Sequence, residues 1–117
     1  LFSASLVALN ARTGERIWHF QTTHHDIFDW DNPTAPLLAD DLNVGGRIVD
    51  AVVQLTKQGM AFVFDRITGE PVWPIVERPV PQSDVPGEQT AATQPFTTKP
   101  EPYEMAGLTM DDLIDYT

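Results

Sequence analysis

The sequence predicts an all-β fold made of antiparallel strands, and two observations support this fold class. Short runs rich in Val, Ile, Phe and Trp alternate with turns that contain Gly, Asn or Asp, which is typical of strands joined by hairpins. One of these strand–turn–strand segments also occurs twice in the chain. Two copies indicate similar β-units that stack and bury one another's faces.

Five apolar runs are predicted strands. In chain order they are SLVAL at 5–9, RIWHFQ at 16–21, IVDAVVQL at 48–55, MAFVFD at 60–65 and PVWPIV at 71–76. The intervening turns, NARTGE, TKQG and RITGEP, contain residues such as Asn and Gly that favour tight turns. Residues 1–76 are therefore predicted to form two partial β-units.

The rest of the chain is predicted to contain little sheet. Residues 77–104 are rich in proline, which removes backbone donors and restricts the preceding residue, so a central strand is not expected there. We interpret this segment as a surface excursion, with an ordered meander packed on another part of a larger protein as the alternative. Residues 105–117 are predicted to form a short acidic helix or the start of a next segment. The helix-like run is 108–116, with Thr109 as its cap and acidic residues in its first turn.

Composition limits the class of protein. The chain has 117 residues, 42% of them hydrophobic, and a mean hydropathy of −0.19, which suits one globular domain and not a disordered chain. Its net charge of −10 disfavours a nucleic acid or an anionic membrane surface as partner, because both are bound by clustered Lys and Arg. Without cysteine, disulfides and thiolate metal sites are excluded. The start LFSASLVALN, with no Met and no charged leader, leads us to expect a segment of a longer protein.

The repeated segment has a physical logic that can be read from its residues. It is LVALNARTGERIW at 6–18 and AFVFDRITGEPVW at 61–73. An Asn or Asp can accept hydrogen bonds from backbone NH groups of the turn, Gly permits a positive φ, and Trp offers a large area to bury. The equivalent positions are Asn10, Thr13, Gly14, Glu15 and Trp18 in the first copy and Asp65, Thr68, Gly69, Glu70 and Trp73 in the second. The period of 55 residues (73 − 18) is near the length of a propeller blade with a loop insertion.

The spacing A-x-[DN]-x-x-T-G-x-x-x-W resembles the tryptophan-docking motif of quinoprotein dehydrogenases, which use pyrroloquinoline quinone (PQQ). The resemblance implies a fragment of an eight-bladed β-propeller with antiparallel four-stranded blades. It also implies that Trp18 and Trp73 pack between blades as docking residues, and that Gly14 and Gly69 lie in the turns. Asn10 replaces the usual Asp and Val63 the usual Ala, and neither departure removes the turn chemistry.

Three longer segments extend this resemblance to nearly the whole chain. They are similar to the membrane-type glucose and quinate dehydrogenase branch, and they read FQTTHHDIFDWDNPTAPLL, TKQGMAFVFDRITGEPVWPIVERPVPQ and GEQTAATQPF. The match corresponds to roughly two blades and a loop, and residues 1–76 would then be two partial blades that carry a catalytic loop.

The stretch HHDIFDWDNP, residues 24–33, concentrates groups that could carry chemistry. His24 and Asp26 have the spacing of part of an iron facial triad, and zinc uses the same ligand types. The other histidines, His19 and His25, are close by in sequence, and in an extended segment neighbouring side chains point to opposite faces. We therefore expect no autonomous metal site and assign no metal ligand to this chain.

The resemblance instead implies that Asp29 is the catalytic general base, which takes the substrate's hydroxyl proton while hydride passes to C5 of the quinone. Phe28, where the family usually has Trp, and Trp30 are expected to shield this carboxylate partly from water. Lys57 matches the family's cationic cofactor-binding residue, whose ammonium bonds the C5 carbonyl oxygen of the quinone. The alternative for Lys57 is a solvated surface lysine. We interpret Asp31 as a turn residue.

The remaining polar and aromatic residues receive structural interpretations. Asp26, His24 and His25 are read as support for the pocket. The residue that stacks on the quinone and the ligands of its Ca²⁺ or Mg²⁺ ion belong, by resemblance, to blades outside this chain.

The function implied by the resemblance is oxidation of a sugar, polyol or cyclitol of the glucose or quinate type, with electrons passed to a quinone or cytochrome. It implies a bacterial periplasmic parent, with membrane anchoring left open, and we expect the segment alone to be inactive. The first alternative is a non-enzymatic propeller scaffold that binds other proteins, and the second is a small β-domain with its own binding role. Asp29 together with Lys57 distinguishes the enzyme, because a scaffold needs neither residue.

Overall fold

The computed structural model describes residues 2–105, 107 and 109–114 as an all-β chain with antiparallel pairing. The strands are β1 (Ser5–Leu9), β2 (Arg16–Gln21), β3 (Leu37–Val44), β4 (Arg47–Leu55), β5 (Ala61–Asp65), β6 (Ile75–Pro79) and β7 (Thr93–Thr97). They form three sheets, β1–β2, β3–β4–β5 and β6–β7. Within the described residues, no helix has the length and apolar character needed to cross a bilayer.

The predicted strands are confirmed where apolar runs are long or where turns are sharp. β1 and β2 have the predicted bounds, and β4 and β5 begin within one residue of prediction. The predicted strand 71–76 is wrong over most of its length, because Pro71 makes only an isolated bridge to Phe64 and β6 begins at Ile75. β3 was not predicted; it contains Asp40 and Asp41, and its pairing with β4 shifts register there.

Part of the proline-rich segment forms an ordered hairpin. β6 and β7 pair in antiparallel register, with Glu77 opposite Pro95 and Arg78 opposite Gln94. Proline is accommodated because each strand of a two-stranded sheet has one unpaired edge, where the missing donor costs nothing. Pro95 is fully buried, so this part of the segment packs on the protein.

The helix-like run near the end of the chain is a single 3-10 turn, Met110–Asp112, in the described residues. Thr109 precedes it, and its backbone NH and hydroxyl donate to the Asp112 carboxylate at 2.7 and 2.8 Å. These two hydrogen bonds lower the pKa of Asp112 below its ordinary value. Residues 108, 115 and 116 of the predicted run lie outside the described residues.

The core lies on both faces of the β4–β5 hairpin. On one face, Phe62 and Phe64 of β5 are fully buried, and the ring of Phe20 from β2 packs 5.6 and 4.9 Å from their ring centres. On the other face, Val63 packs with Val49, Ala51 and Val72, and the partly buried Trp73 lies against that cluster. β5 is therefore apolar without alternation, because both of its faces are covered.

The two repeat turns have the same hydrogen bonds. In each, the Oδ1 atom of Asn10 or Asp65 accepts hydrogen bonds from the NH groups two and three residues later, at 2.9–3.2 Å. The NH of Gly14 or Gly69 donates to the carbonyl of that same Asn or Asp at 2.8 Å, with φ of +74° and +76°. The Asn-for-Asp difference therefore leaves the turn unchanged, as the sequence indicated.

Trp18 joins the first repeat to the second. Its indole Nε1–H donates to the carbonyl of Arg66 at 3.1 Å, and its ring centre lies 5.8 Å from that of Phe64. A Cβ atom added to Gly69 would lie 2.5 Å from the Trp18 Cγ atom, so the indole occupies the space that a side chain would take. Only glycine fits the second repeat turn while Trp18 is in place.

We predict that Gly69→Ala destabilises the protein far more than Gly14→Ala, although both glycines have nearly the same φ. Clash and left-handed backbone each cost roughly 1–3 kcal/mol, so the loss at Gly69 should be on the order of 3 kcal/mol. Nothing lies within 4 Å of a Cβ added to Gly14, so its loss should be about 1–2 kcal/mol, from backbone strain alone. The free energy of unfolding in denaturant measures both, and equal losses would contradict the docking contact.

We also predict an acid-dependent stability term from Asp65. Backbone NH groups of Thr68 and Ile67 hydrogen-bond its carboxylate and lower its pKa below 3.8. A lowered folded-state pKa stabilises the protein above the unfolded value, and that stability is lost as pH falls through the folded value. Asp65→Asn keeps the hydrogen-bond acceptor, as Asn10 does, but its amide does not titrate. The variant therefore lacks this pH-dependent contribution to stability. The difference in free energy of unfolding between wild type and variant should therefore shrink below about pH 4.

Urea titrations across this pH range measure the Asp65 effect, and Asn10→Asp is the matched control. That variant places a carboxylate in the first repeat turn and should acquire the same acid dependence. Parallel stability curves for wild type and Asp65→Asn across the acidic range would show that the prediction is incorrect.

Candidate functional site

The candidate site is formed by the segment between β2 and β3, which leaves the sheet directly after Gln21. Thr22 and Thr23 are buried, and Thr22 holds the start of the segment through its NH and hydroxyl, which donate to the Ala4 carbonyl at 2.8 and 2.7 Å. The backbone is not extended as far as residue 26, because His25 has a φ of +41° and turns the chain. The segment is therefore a tight loop with its own internal contacts.

Asp26 organises the turn that carries Asp29. Its two carboxylate oxygens accept hydrogen bonds from the NH of Phe28 at 3.0 Å and of Trp30 at 2.7 Å. Asp29 lies between these two residues with a φ of +59°, a left-handed conformation that Asp tolerates better than most residues. Asp26 thus supports the turn, as the sequence suggested, and both of its carboxylate oxygens are occupied by backbone NH groups.

Lys57 contacts Asp29, which precedes it by 28 residues in the sequence. It lies in the turn between β4 and β5, and its Nζ donates to the Asp29 backbone carbonyl at 2.6 Å. The same ammonium lies 3.8 Å from the Oδ2 atoms of Asp29 and Asp31. The two residues that the sequence assigned to one site are therefore in contact, and Asp31 joins them.

The electrostatic strength of this cluster is limited by water. The side chains of Lys57, Asp29 and Asp31 are 37%, 87% and 68% exposed, and ion pairs this exposed contribute little to stability. Phe28 and Trp30 pack on each other with ring centres 5.2 Å apart and leave Asp29 open to solvent. The expected shielding of Asp29 by these two rings is therefore wrong for the described residues.

The β6–β7 hairpin contacts the same loop. The Oε1 atom of Gln94 accepts a hydrogen bond from the His24 NH at 2.7 Å, and its Nε2 donates to the His24 carbonyl at 2.8 Å. The His24 Nε2 atom lies 2.9 Å from Glu77 Oε1, and Nδ1 lies 3.3 Å from Gln21 Oε1. Burial alone would raise the pKa of Glu77, but hydrogen bonds from His24 and Thr93 outweigh it and lower that pKa.

Gln94 and Glu77 are functional-site neighbours that sequence reasoning did not identify. Both lie in the proline-rich segment that was interpreted as a surface excursion. Both residues lie in segments that carry the family resemblance, but no spacing in those segments indicates a contact with His24, which precedes Gln94 by 70 residues. Only a prediction of the β6–β7 hairpin could have brought them to the site.

A cavity of about 390 Å³ opens beside Lys57. The residues that line it and matter here are Trp30, Lys57, Gln58, Met60, Gln94 and Phe96. Gln58 donates from Nε2 to the Thr23 hydroxyl at 2.7 Å, whereas its buried Oε1 has no hydrogen-bond partner among the described residues. A buried acceptor without a partner costs free energy, so this atom is available to a donor on a bound molecule.

Metal ligands are not assembled in the described part of the chain. Among those residues, no group of three His, Cys, Asp or Glu side chains is arranged to hold an ion. Asp26 uses its carboxylate oxygens on backbone NH groups, and His24 faces Glu77. The arrangement supplies instead one exposed carboxylate, one ammonium and an aromatic-lined cavity, which suits proton transfer beside a polar aromatic ligand.

Comparison with known proteins gives consistent results. A family model described as "PQQ: Glucose/ethanol/alcohol dehydrogenase, beta-propeller domain" matches residues 1–117. The chain is 45% identical over 113 residues to quinoprotein glucose dehydrogenase A of Acinetobacter calcoaceticus, covering 97% of this chain and 14% of that protein. It is 42% identical over 94 residues to quinate/shikimate dehydrogenase (quinone) of Acinetobacter baylyi, covering 80% of this chain and 12% of that protein.

A third relative broadens the substrates named among these proteins. The glycerol dehydrogenase large subunit of Gluconobacter thailandicus is 41% identical over 96 residues, covering 81% of this chain and 13% of that protein. The chain thus spans 12–14% of the length of these three relatives.

We predict that Asp26→Ala loosens the turn around Asp29. The variant leaves the NH groups of Phe28 and Trp30 without their acceptors, which should cost about 1–3 kcal/mol of local stability. Amide hydrogen exchange in peptides covering residues 26–30 should then be about ten- to a hundredfold faster. Asp84→Ala, at an exposed acid between β6 and β7, is the control and should leave this exchange unchanged. The same slow exchange in Asp26→Ala would refute the role of Asp26.

Proposed function

Because the chain belongs to the family of β-propeller domains of PQQ-dependent glucose, ethanol and alcohol dehydrogenases, we propose that it carries the general base and a cofactor contact of a quinoprotein dehydrogenase. The parent protein oxidises a sugar, polyol or cyclitol. The observation that carries the proposal is the contact between Lys57 and Asp29, at 2.6 Å to the carbonyl and 3.8 Å to the carboxylate.

The residues around the cavity fit PQQ, which is a planar quinone bearing carboxylates. Trp30 and Phe96 offer flat apolar surface, Lys57 offers a cation, and the free Oε1 of Gln58 offers an acceptor in a volume of about 390 Å³. This volume lies within the range of about 300–1,000 Å³ that ligand pockets occupy. Lys57 is the residue of this chain that would hold a carbonyl oxygen of the cofactor.

The chemistry assigned to this chain is proton removal and charge stabilisation. When bound, PQQ supplies the two-electron acceptor for the hydride on the substrate carbon that bears the hydroxyl. The Asp29 carboxylate accepts the hydroxyl proton, and its exposure in this chain leaves room for a substrate to approach. The Lys57 ammonium lies close enough to stabilise negative charge beside that carboxylate.

The whole-protein features in the proposal follow from the family. By resemblance, the Ca²⁺ or Mg²⁺ ion would be held by residues in blades outside this chain. Electrons would pass to a quinone or a cytochrome, and the protein would work in the bacterial periplasm. Glucose- and quinate-type substrates are favoured because relatives with those names match at 45% and 42% identity.

A non-enzymatic propeller scaffold is the competing function. It accounts for the docking of Trp18 on Gly69 and for the repeated turns equally well. It does not account for a lysine that holds the backbone of an aspartate in a left-handed turn beside an aromatic cavity. That contact therefore favours the enzyme.

The test is Asp29→Asn in the full-length protein loaded with PQQ and Ca²⁺ or Mg²⁺, assayed with glucose, quinate and glycerol. Asn tolerates the left-handed backbone and keeps the carbonyl that Lys57 contacts, so the fold should persist. Loss of a general base should lower kcat by about 10²–10⁴-fold, while PQQ affinity stays within about threefold.

Asp31→Asn is the matched control, because its carboxylate lies at the same 3.8 Å from the Lys57 ammonium. It should lower kcat by less than about tenfold, since it removes a charge without removing the base. Equal losses in the two variants would reduce Asp29 to a charge partner of Lys57. Undiminished turnover in Asp29→Asn would reject the base assignment.

A further inference from the structure

The side chain of Gln94 hydrogen-bonds both backbone groups of His24, as a neighbouring strand would. Its amide oxygen accepts from the His24 NH at 2.7 Å and its amide nitrogen donates to the His24 carbonyl at 2.8 Å. A side-chain amide has one acceptor and two donor hydrogens, so one Gln can satisfy both backbone groups of one residue. These bonds are part-buried, so an unpaired backbone group there would cost free energy.

His24 is the last fixed point before the turn that carries Asp29. The next residue, His25, adopts a positive φ, and from there the internal bonds are those of Asp26 to two later NH groups. Asp26 therefore shapes the turn, but its bonds do not fix how the turn lies relative to the cavity. That direction depends on contacts at the ends of the turn, and these include Gln94 at His24 and Lys57 at Asp29.

The element that carries Gln94 is itself well anchored. Gln94 pairs with Arg78 in the β6–β7 ladder, and the following Pro95 is fully buried. Phe96, two residues on, packs against the core cluster of Phe62 and Phe64. Because this strand is packed on the core, a side chain on it can hold the neighbouring loop in a fixed position, as a catalytic group requires.

A second contact to His24 is weaker than that of Gln94. Glu77 contacts the His24 ring, not its backbone, and the two side chains are 50% and 36% exposed. A pair this exposed contributes little and leaves the main chain free to move. Gln94 holds the main chain directly, so it has the larger influence on where Asp29 lies.

We propose that Gln94 is a positioning residue for the oxidation, which holds the Asp29 turn against the β6–β7 hairpin and so keeps the Asp29 carboxylate beside the Lys57 ammonium that lines the cavity. This inference rests on the proposed function, in which Asp29 is the general base. Gln94 itself acts through His24 and takes no part in proton transfer. In this proposal the β6–β7 hairpin holds the loop that carries Asp29 in place.

The experiment uses the full-length, PQQ-loaded protein with Gln94→Ala and Gln94→Glu. The Glu variant keeps the shape and an acceptor for the His24 NH but cannot donate to its carbonyl. In both variants, amide exchange in peptides covering residues 22–30 should be about tenfold faster or more. A misplaced base should lower kcat by about ten- to a hundredfold, with KM and PQQ affinity within about threefold.

Gln82→Ala is the matched control. Gln82 lies in the same hairpin loop, is exposed, and donates to the carbonyls of Val80 and Ala91 within that loop. Its loss removes a comparable set of hydrogen bonds away from His24. Exchange in residues 22–30 and kcat should both remain at wild-type values.

A double-mutant cycle with Asp29→Asn distinguishes positioning from a general structural effect. If Gln94 acts only through Asp29, Gln94→Ala should cause no further loss of kcat in the Asp29→Asn protein. Additive losses would overturn the inference. So would a collapse of the unfolding midpoint in both Gln94 variants, or a loss of PQQ affinity with unchanged exchange.

The exchange measurement separates failure of this inference from failure of the proposed function. Unchanged exchange in residues 22–30 overturns the positioning role even where Asp29→Asn abolishes turnover. If the Gln94 variants exchange faster but Asp29→Asn keeps full turnover, Gln94 still holds the loop in place. The proposed base is then refuted, and with it a role of Gln94 in the reaction.

Discussion

Burial of the β4–β5 hairpin on both faces is the constraint on which the rest of the structure depends. Phe62 and Phe64 fill one face and Val63 the other, so the hairpin cannot shift without exposing apolar area on one side. The turn at its end therefore has a fixed position, and Lys57 lies in that turn. The first repeat is fixed to the same hairpin, because the indole of Trp18 packs on Phe64 of β5.

The candidate site is built on this frame mainly by hydrogen bonds to backbone atoms. Asp26 and Gln94 each bond two backbone groups of the loop, and Lys57 bonds the carbonyl of Asp29. Backbone contacts of this kind hold a loop in place and leave the Asp29 carboxylate, the proposed base, accessible. The main chain of this loop has positive φ at His25 and Asp29, and strained residues of this kind cluster at functional sites.

The parts of the fold that were predicted from sequence are those whose signal is local. β1 and β2 follow from short apolar runs and a turn rich in Asn and Gly, and the repeated turn follows from Asn10 and Asp65 at equivalent positions. β3 escaped prediction because its acids and bulge hide the strand pattern. β7 escaped it because proline argues against strands, although an unpaired edge tolerates Pro95.

The sequence by itself determined the all-β class and the family, and it indicated Asp29 and Lys57 as the residues for the proposed chemistry. Spacing and residue type carry these properties, because turns, strands and family motifs are local patterns. Only the tertiary structure decided that Asp29 lies exposed, that Asp31 shares its lysine, and that Gln94 hydrogen-bonds the backbone of His24. Exposure and contacts between distant residues depend on how the sheets pack, and no pattern within ten residues of HHDIFDWDNP encodes the hairpin that lies against it.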